Sequence, residues 1–386
     1  MSYQLRDYQE ASVSAGVSFF NDRKIENGVI VAPTGSGKSL IISNIVNRLN
    51  GHCLVFQPTK EILEQNFEKF KSYGERPAIF SASAGEKTVG SQITLATIGS
   101  VIKYPELFKH TKYIIQDECH VGSPAAGMYK DFYSEFSHCK ILGLTATPYR
   151  LYSNSLGAEL RWITRTSPKI FNKVVHVIQI KDLADRGYFA KLDYKAVKTG
   201  FNPSRLRIQK NGADYTDESV KAHFLELHFS DQIVRCVNRL FELGRRQALV
   251  FTRFIEEAEY VASKVQGAAI VTGQTPKKER ELIISGFKSG AITTVCNVGV
   301  LTTGFDYPEL ANVVLARPTM SMALYYQMTG RCVRPHPSKE SAYVIDMVGL
   351  SQKFGRVEDF EVGNDGGNKW YIHSQGRHLT NVYFQK

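Results

Sequence analysis

Residues Ala32-Pro33-Thr34-Gly35-Ser36-Gly37-Lys38-Ser39 stand between a short apolar run, Gly28 to Ala32, and a run with helical spacing, Leu40 to Leu49. A strand, a glycine-containing loop and a helix in that order make a cradle for nucleotide phosphates. The loop N–H groups of Thr34, Gly35, Ser36 and Gly37 converge there, and the helix N-terminus behind them favours negative charge. Lys38 adds a mobile cation and Ser39 a hydroxyl for Mg²⁺. The general pattern opens on Gly where this chain has Ala32, whose methyl still leaves room beside the loop.

A second chemical element lies downstream. Tyr113 to Gln116 reads as an apolar strand that ends in Asp117-Glu118-Cys119-His120. Two adjacent carboxylates at the end of a buried strand are costly unless something positive faces them, and Mg²⁺ bridging the β- and γ-phosphates of ATP is the natural partner. Asp117 is expected to hold the metal and Glu118 the attacking water. Cys119 reads as a small buried side chain, not a nucleophile.

Further stretches follow in order: Leu5-Arg6-Asp7-Tyr8-Gln9, Gln57-Pro58-Thr59-Lys60-Glu61 with Gln65, Thr97-Ile98-Gly99-Ser100, Thr145-Ala146-Thr147-Pro148 and Leu249-Val250-Phe251-Thr252. After them come Leu301-Thr302-Thr303-Gly304-Phe305-Asp306 and Gln327-Met328-Thr329-Gly330-Arg331-Cys332-Val333-Arg334. Together with the phosphate loop and the DECH tetrad, this series resembles the motifs of superfamily 2 helicases of the DEAD/DEAH-like kind. The local wording of DECH, TATPYR, VLTTGFD and an Arg-Pro-Thr at Arg317 is similar to bacterial RadD-type helicase-like ATPases, which are associated with recombination and the repair of DNA breaks.

The resemblance implies an ATP site built from both halves of the chain. Arg6 and Gln9 would read adenine, and Gly304 and Asp306 would join the loop residues in holding the nucleotide. Gln327, Arg331 and Arg334 would reach the γ-phosphate from the second half, where a guanidinium in trans is worth roughly three to five orders of magnitude in rate in related NTPases. Thr59, Thr97, Thr252 and Thr302 are the expected sugar-phosphate contacts of a strand bound without reading its sequence.

The elements that must position these groups are legible as alternating strands and helices, hence α/β with a mainly parallel sheet flanked by helices in each of two tandem RecA-like domains. Strands are expected at Gly28–Ala32, Cys53–Gln57, Ile93–Thr97, Tyr113–Asp117 and Ile141–Thr145. A second series follows at Ala248–Thr252, Ala268–Val271, Thr293–Asn297, Val313–Ala316 and Ala342–Met347, with helices at Glu256–Val265 and Lys277–Phe287. Weak patterning between residues 150 and 248 leaves the boundary near 190. The expected division is therefore 1–190, 191–350 and a tail at 351–386, with one amphipathic piece at Gly355–Val362 and a turn at Asn364–Asn368.

The 386 residues carry a formal net charge of +11, which suits a phosphate polymer as partner. Almost none of the excess lies beyond Ser351. Cysteines at 53, 119, 139, 236, 296 and 332 show no metal-ligand spacing and no disulfide framework. The polar start of the chain and the lack of a ~20-residue apolar run point to a cytoplasmic protein without a membrane segment. Tyr149–Lys173 mixes Arg150, Arg161, Arg165, Lys169 and Lys173 with Tyr149, Tyr152 and Trp162. It is read as a solvated loop with Trp162 packed on the first domain in preference to a single-strand track.

The expected activity is a nucleic-acid-stimulated, Mg²⁺-dependent ATPase, a DNA helicase or translocase in repair or recombination. Single-stranded or branched DNA would be its partner, alongside recombination or single-strand-binding proteins. Two alternatives stand beside it: the duplex-translocating subunit of a restriction or remodelling complex, and an accessory factor that binds without unwinding.

Overall fold

A computed structural model describes residues 4–154, 157–302 and 304–384. Thr303 of the TTGFD stretch lies outside the described residues, as do residues 1–3 and 385–386 at the ends of the first and last expected units. Two parallel sheets organise the chain. The first contains β1 (Gly28–Val31), β2 (Cys53–Phe56), β3 (Ala78–Ser81), β4 (Glu86–Lys87), β5 (Ile93–Ala96), β6 (Tyr113–Asp117) and β7 (Lys140–Thr145).

The hairpin β8 (Tyr149–Asn154) and β9 (Gly157–Trp162) follows, and β10 (Lys173–Val177) returns to complete the first sheet in the order β10-β1-β7-β6-β2-β5-β3-β4. All its neighbours run parallel except β4 against β3. Strands buried on both faces read as unbroken apolar runs, which is why Val29–Val31, Leu54–Phe56 and Ile114–Ile115 lack alternation.

Register aligns the carboxyl ends. Val31 lies beside Thr145, and Asp117 beside Leu144. The phosphate loop, the paired carboxylates and the TATP stretch therefore leave the sheet at one edge, where ligands gather in open α/β sheets.

The second sheet comprises β11 (Lys191–Ala196), β12 (Ala248–Phe251), β13 (Ala268–Thr272), β14 (Thr294–Val298), β15 (Asn312–Leu315) and β16 (Ser341–Asp346). It runs parallel throughout in the order β11-β16-β15-β12-β14-β13. The chain crosses from the first sheet to the second between Val177 and Lys191, with the short helix Ile180–Asp185 in the crossing. Neither β10 nor β11 is legible as a strand in the sequence, because each is an edge strand with mixed polar character. Among the described residues no helix is long and apolar enough to cross a membrane.

The tail departs from expectation. Gly355–Val362 is not one amphipathic piece: it passes through a 3-10 turn into β17 (Phe360–Asn364), which pairs antiparallel with β18 (Trp370–Ser374) and then β19 (Arg377–His378). Residues 366–368 form the connecting turn. β20 (Tyr383–Phe384) then adds to β9, so the end of the chain completes the hairpin's sheet. Gln179 ties this tail to the crossing segment: its Nε2 donates to the Val362 carbonyl (2.8 Å) and its Oε1 accepts from the Val362 N–H (2.9 Å).

Tyr149–Lys173 is therefore neither a solvated loop nor an open basic track. Trp162 is fully buried and stacks near Trp370 at 6.5 Å between centroids, inside an apolar cluster that also holds Tyr326, Phe360 and Ile372 of the second half. Its basic residues are largely engaged: Arg150 donates to the Gly122 carbonyl, Arg161 pairs with Glu159 and lies over Tyr152, and Lys173 pairs with Glu26. Removing this much buried ring area leaves a cavity the tail cannot refill. Trp162→Ala should cost about 3–5 kcal/mol, read as a lowered thermal midpoint, and Trp370→Ala, at a half-buried position, should cost less.

Candidate active site

Left-handed glycines shape the phosphate loop. Gly35 and Gly37 both have φ of 87°, and a Cβ on Gly37 would sit 2.5 Å from Gln9 Nε2, so only glycine is accommodated there. Lys38 then opens the helix Lys38–Asn47. Ser36 turns away: it is fully buried and its hydroxyl donates to the Pro33 carbonyl (2.7 Å), which restricts it to backbone contributions.

Among the described non-glycine residues of the site, Glu118 alone has a left-handed backbone, with φ of 46° and ψ of 50° immediately after β6. That turn sends its carboxylate toward Lys38, with Nζ–Oε1 at 3.1 Å. Asp117 accepts from the Glu118 N–H (2.9 Å). Asn66, on the helix Lys60–Ser72, joins the two elements. Its Oδ1 accepts from the Ser39 hydroxyl (2.6 Å), and its Nδ2 donates to Gln57 Oε1 (2.8 Å) and Asp117 Oδ2 (3.4 Å).

Ser39 and Asp117 are thus held as a pair of oxygen donors with lone pairs to spare, a donor set that fits a hard divalent cation such as Mg²⁺. His120 Nδ1 contacts Thr145 Oγ1 (2.8 Å) and Thr147 Oγ1 (3.2 Å) and stands 3.5 Å from Glu118, linking the carboxylates to the TATP stretch.

Burial and charge pull these groups apart electrostatically. Burial, reinforced by the adjacent Glu118 carboxylate, raises the pKa of Asp117. Burial acts on Glu118 too, but Lys38, His120 and Arg331 together outweigh it and the net shift is downward. The pair thereby keeps Glu118 ionised, while Asp117 is the carboxylate that gains most from a cation. Burial lowers the pKa of His120, with the Glu118 carboxylate pulling the other way.

The second domain closes the other wall. Arg331 is held by its own backbone surroundings, donating from Nη1 to the Phe305 carbonyl (2.7 Å) and from Nε to the Gln327 carbonyl (3.2 Å). Burial, then repulsion from Arg334, brings its pKa down to about 10, which leaves it a cation at neutral pH. Arg334 pairs with Asp306. Direct contacts cross the cleft: Tyr326 OH accepts from the Thr34 N–H (3.0 Å), Gln65 donates to the Gly304 carbonyl, and the Ala190 N–H donates to the Val333 carbonyl (2.7 Å).

The resulting cavity of about 570 Å³ is lined by Thr34, Gly35, Gly37, Lys38, Ser39, Asp117 and Glu118 from one side and by Gly304, Asp306, Gln327, Arg331 and Arg334 from the other. Arg6 and Gln9 also line it, with the Arg6 guanidinium 4.3 Å over the Tyr188 ring and Gln9 Nε2 donating to the Ser36 carbonyl (2.9 Å).

The expected nucleic-acid contacts divide. Thr59 is exposed and caps the helix Lys60–Ser72, its hydroxyl accepting from the Ile62 N–H (3.3 Å). Thr97 is half-buried and exchanges hydroxyl contacts with Ser81 (2.9 Å) and Ser100 (3.1 Å), and Thr302 is half-buried. Thr252 is a correction. It is fully buried and its hydroxyl has no partner, so it presents nothing to a strand. The next residue, Arg253, is occupied by Asp214, Asp217 and the Tyr215 carbonyl.

Asn66, Tyr326 and Tyr188 did not figure among the candidates read from sequence. For Asn66 a signal existed: Ile62, Gln65, Asn66, Lys69 and Tyr73 recur at helical spacing, and all five line the cavity. Cys119 is buried, and burial holds its thiol well above the usual range. Cys119 opens the 3-10 turn after β6, and a Cβ on Gly143 of β7 would come within 2.5 Å of its sulfur, which explains why position 143 carries no side chain.

Comparison with known proteins places these features in company. Residues 2–150 match the model of the family described as type III restriction enzyme, res subunit, and residues 232–336 match the helicase conserved C-terminal domain. A 51.5 kDa protein of a Lactococcus phage is 29% identical over 328 residues, covering 83% of this chain and 65% of that protein. The chain thus spans less than two thirds of that relative. The DNA 3'-5' translocase XPB2 of Sulfurisphaera tokodaii is 26% identical over 377 residues, covering 89% of this chain and 81% of that one. Among solved structures, a fragment of a putative HsdR subunit of a type I restriction enzyme from Vibrio vulnificus superposes with a TM-score of 0.68 at 20% identity, covering 92% of this chain and 67% of that one. At that identity the likeness speaks for the two-domain fold.

Because Asn66 orients both oxygen donors, Asn66→Ala should weaken binding of a Mg²⁺–nucleoside triphosphate about 10–100-fold, measured by titration with a fluorescent analogue, and should also lower the thermal midpoint because Gln57 and Asp117 lose a buried partner.

Proposed function

The chain belongs to the superfamily 2 helicases, and from that premise we propose that it is a nucleic-acid-stimulated, Mg²⁺-dependent ATPase that translocates along DNA or separates its strands. The observation that carries the reading is the two-sided cavity in which Lys38, Asp117 and Glu118 meet Arg331 and Arg334.

In this reading the loop amides of Thr34 to Gly37 and the Lys38 ammonium bind the phosphate chain, and Lys38 exchanges Glu118 for phosphate oxygen when nucleotide enters. Ser39 and Asp117 would hold Mg²⁺, which supplies charge neutralisation at the β- and γ-phosphates. Glu118, freed from Lys38, orients and deprotonates the attacking water. Arg331 is already a desolvated, backbone-anchored cation and stabilises the charge that spreads over the transferring phosphoryl group. Arg334 leaves Asp306 to join it.

Because the guanidinium groups come from the other domain, closure depends on the nucleotide, and the cycle of closing and opening shifts the two halves along a strand. Thr59, Thr97 and Thr302 are the proposed sugar-phosphate contacts. A role in repair or recombination, with single-strand-binding or recombination proteins as partners, rests on the wording of the motifs. The relatives described above speak for the motor and not for the RadD type in particular.

A second reading, the translocating subunit of a restriction complex, is favoured by the family matched at residues 2–150 and by the HsdR likeness. Turnover measured with single-stranded, duplex, forked and RNA effectors separates the two. Stimulation by single strands or forks supports the first reading, preference for long duplex supports the second, and no stimulation by any effector removes both.

Lys38→Ala should abolish turnover with the fold intact. Arg331→Ala should lower kcat by about 10³–10⁵ while nucleotide binding persists, and retained turnover in either variant would move the chemistry elsewhere. Since the contacts are to phosphate, affinity for single-stranded DNA should fall steeply with salt and change little with sequence.

A further inference from the structure

One cation in the cavity has no place in the chemistry above. Lys69 lies in the third turn of the helix Lys60–Ser72, on the same face as Gln65 and Asn66, and lines the cavity with them. Its one ion pair among the described residues crosses the cleft to Asp306 Oδ2 at 3.8 Å, near the limit for such a contact. Asp306 is already bound to Arg334 through its other oxygen.

One carboxylate therefore serves two cations, one from each domain. Around it the balance is uneven: Lys38, Lys69, Arg331 and Arg334 face Asp117, Glu118 and Asp306. The groups that act electrostatically on Lys69 are Asp306, Arg334, Asp117 and Lys38, the same set that would surround the end of a bound triphosphate. A cation on a flexible stem, weakly held by a shared carboxylate and bordered by an excess of positive charge, is a cation awaiting an anion.

Resting on the function proposed above, we propose that Lys69 is a second first-domain ligand for the terminal phosphate of a nucleoside triphosphate, and that Asp306 holds it when that phosphate is absent. The helix that carries it begins at the exposed cap Thr59, contacts Gly304 through Gln65 and fixes Ser39 and Asp117 through Asn66. Transfer of Lys69 from Asp306 to phosphate would give this helix a direct sense of whether the third phosphate is present. It would also leave Asp306 to Arg334 alone until the arginine follows.

The test uses the full chain and compares equilibrium affinities for a non-hydrolysable ATP analogue and for ADP. Lys69→Met should weaken the ATP analogue about 10–100-fold, as expected for a charge-assisted contact, and change ADP less than threefold. Lys69→Arg should restore most of the discrimination. Asp306→Asn should preserve or raise the ratio of ATP to ADP affinity, a ratio from which contacts to the shared base, ribose and inner phosphates cancel.

Equal losses for both nucleotides in Lys69→Met, no loss for either, or a collapse of the ratio in Asp306→Asn would overturn the proposal and leave Lys69 a structural tie between domains. Thermal melting of each variant reports whether the fold survives, and the Arg variant supplies a folded comparison. Were the unmodified chain to bind neither nucleotide, the function proposed above would fall and this inference with it. Normal binding by the unmodified chain with an undiscriminating Lys69→Met sinks this inference alone.

Discussion

Two neighbouring carboxylates at the end of a strand buried on both faces impose the constraint from which the rest of the cleft follows. Asp117 and Glu118 cannot both be ionised there without positive charge close by, and the fold answers from three directions. Lys38 arrives on the phosphate-loop helix, Asn66 brings hydrogen bonds from the next helix, and Arg331 adds its field from the other domain. Each answer is incomplete without a ligand. The loop's amides and surplus cations are arranged for an anion, and the oxygen donors for a cation, so a metal-bound triphosphate satisfies both at once.

The same logic explains why the second half of the chain must sit where it does. A desolvated guanidinium is expensive, and Arg331 is anchored by carbonyl oxygens from Phe305 and Gln327, with the nearby Glu118 and Asp306 carboxylates favouring its charge without a direct ion pair among the described residues. Its charge is therefore available to the cleft. The two sheets are kept in reach of each other by more than the crossing segment. Trp162 and Tyr149 from the hairpin, Tyr326 from the second domain and Phe360 and Ile372 from the tail share one apolar cluster, and β20 seals the hairpin's edge. The tail thus acts on the motor through packing, close to the point where Tyr326 accepts from the phosphate-loop residue Thr34.

Much of the architecture was legible because central parallel strands must be apolar throughout and must end in loops that carry chemistry. The expected strands at Gly28, Cys53, Tyr113, Ala248 and Ala342 agree with observed ones to within a residue at their starts. The failures have a common cause. Edge strands β10 and β11, the hairpin β8–β9 and the small tail sheet lean on partners distant in sequence, so their own patterns are weak. Thr252 failed for a related reason. A hydroxyl at the end of a strand is indistinguishable in sequence whether it faces solvent or interior, and here it faces the interior.

What the residues alone determined is the local chemistry on offer: a glycine-containing loop with the shape of a phosphate cradle, adjacent carboxylates that need positive charge nearby, and arginines three apart. These depend on local geometry, which short stretches of chain carry within themselves. Only the tertiary structure decided which groups share a cavity, that Asn66 joins Ser39 to Asp117, that Lys69 and Arg334 share Asp306, and that the tail packs against Trp162. Such relations join residues tens to hundreds of positions apart, and they are set by how two sheets pack, a property no local pattern encodes.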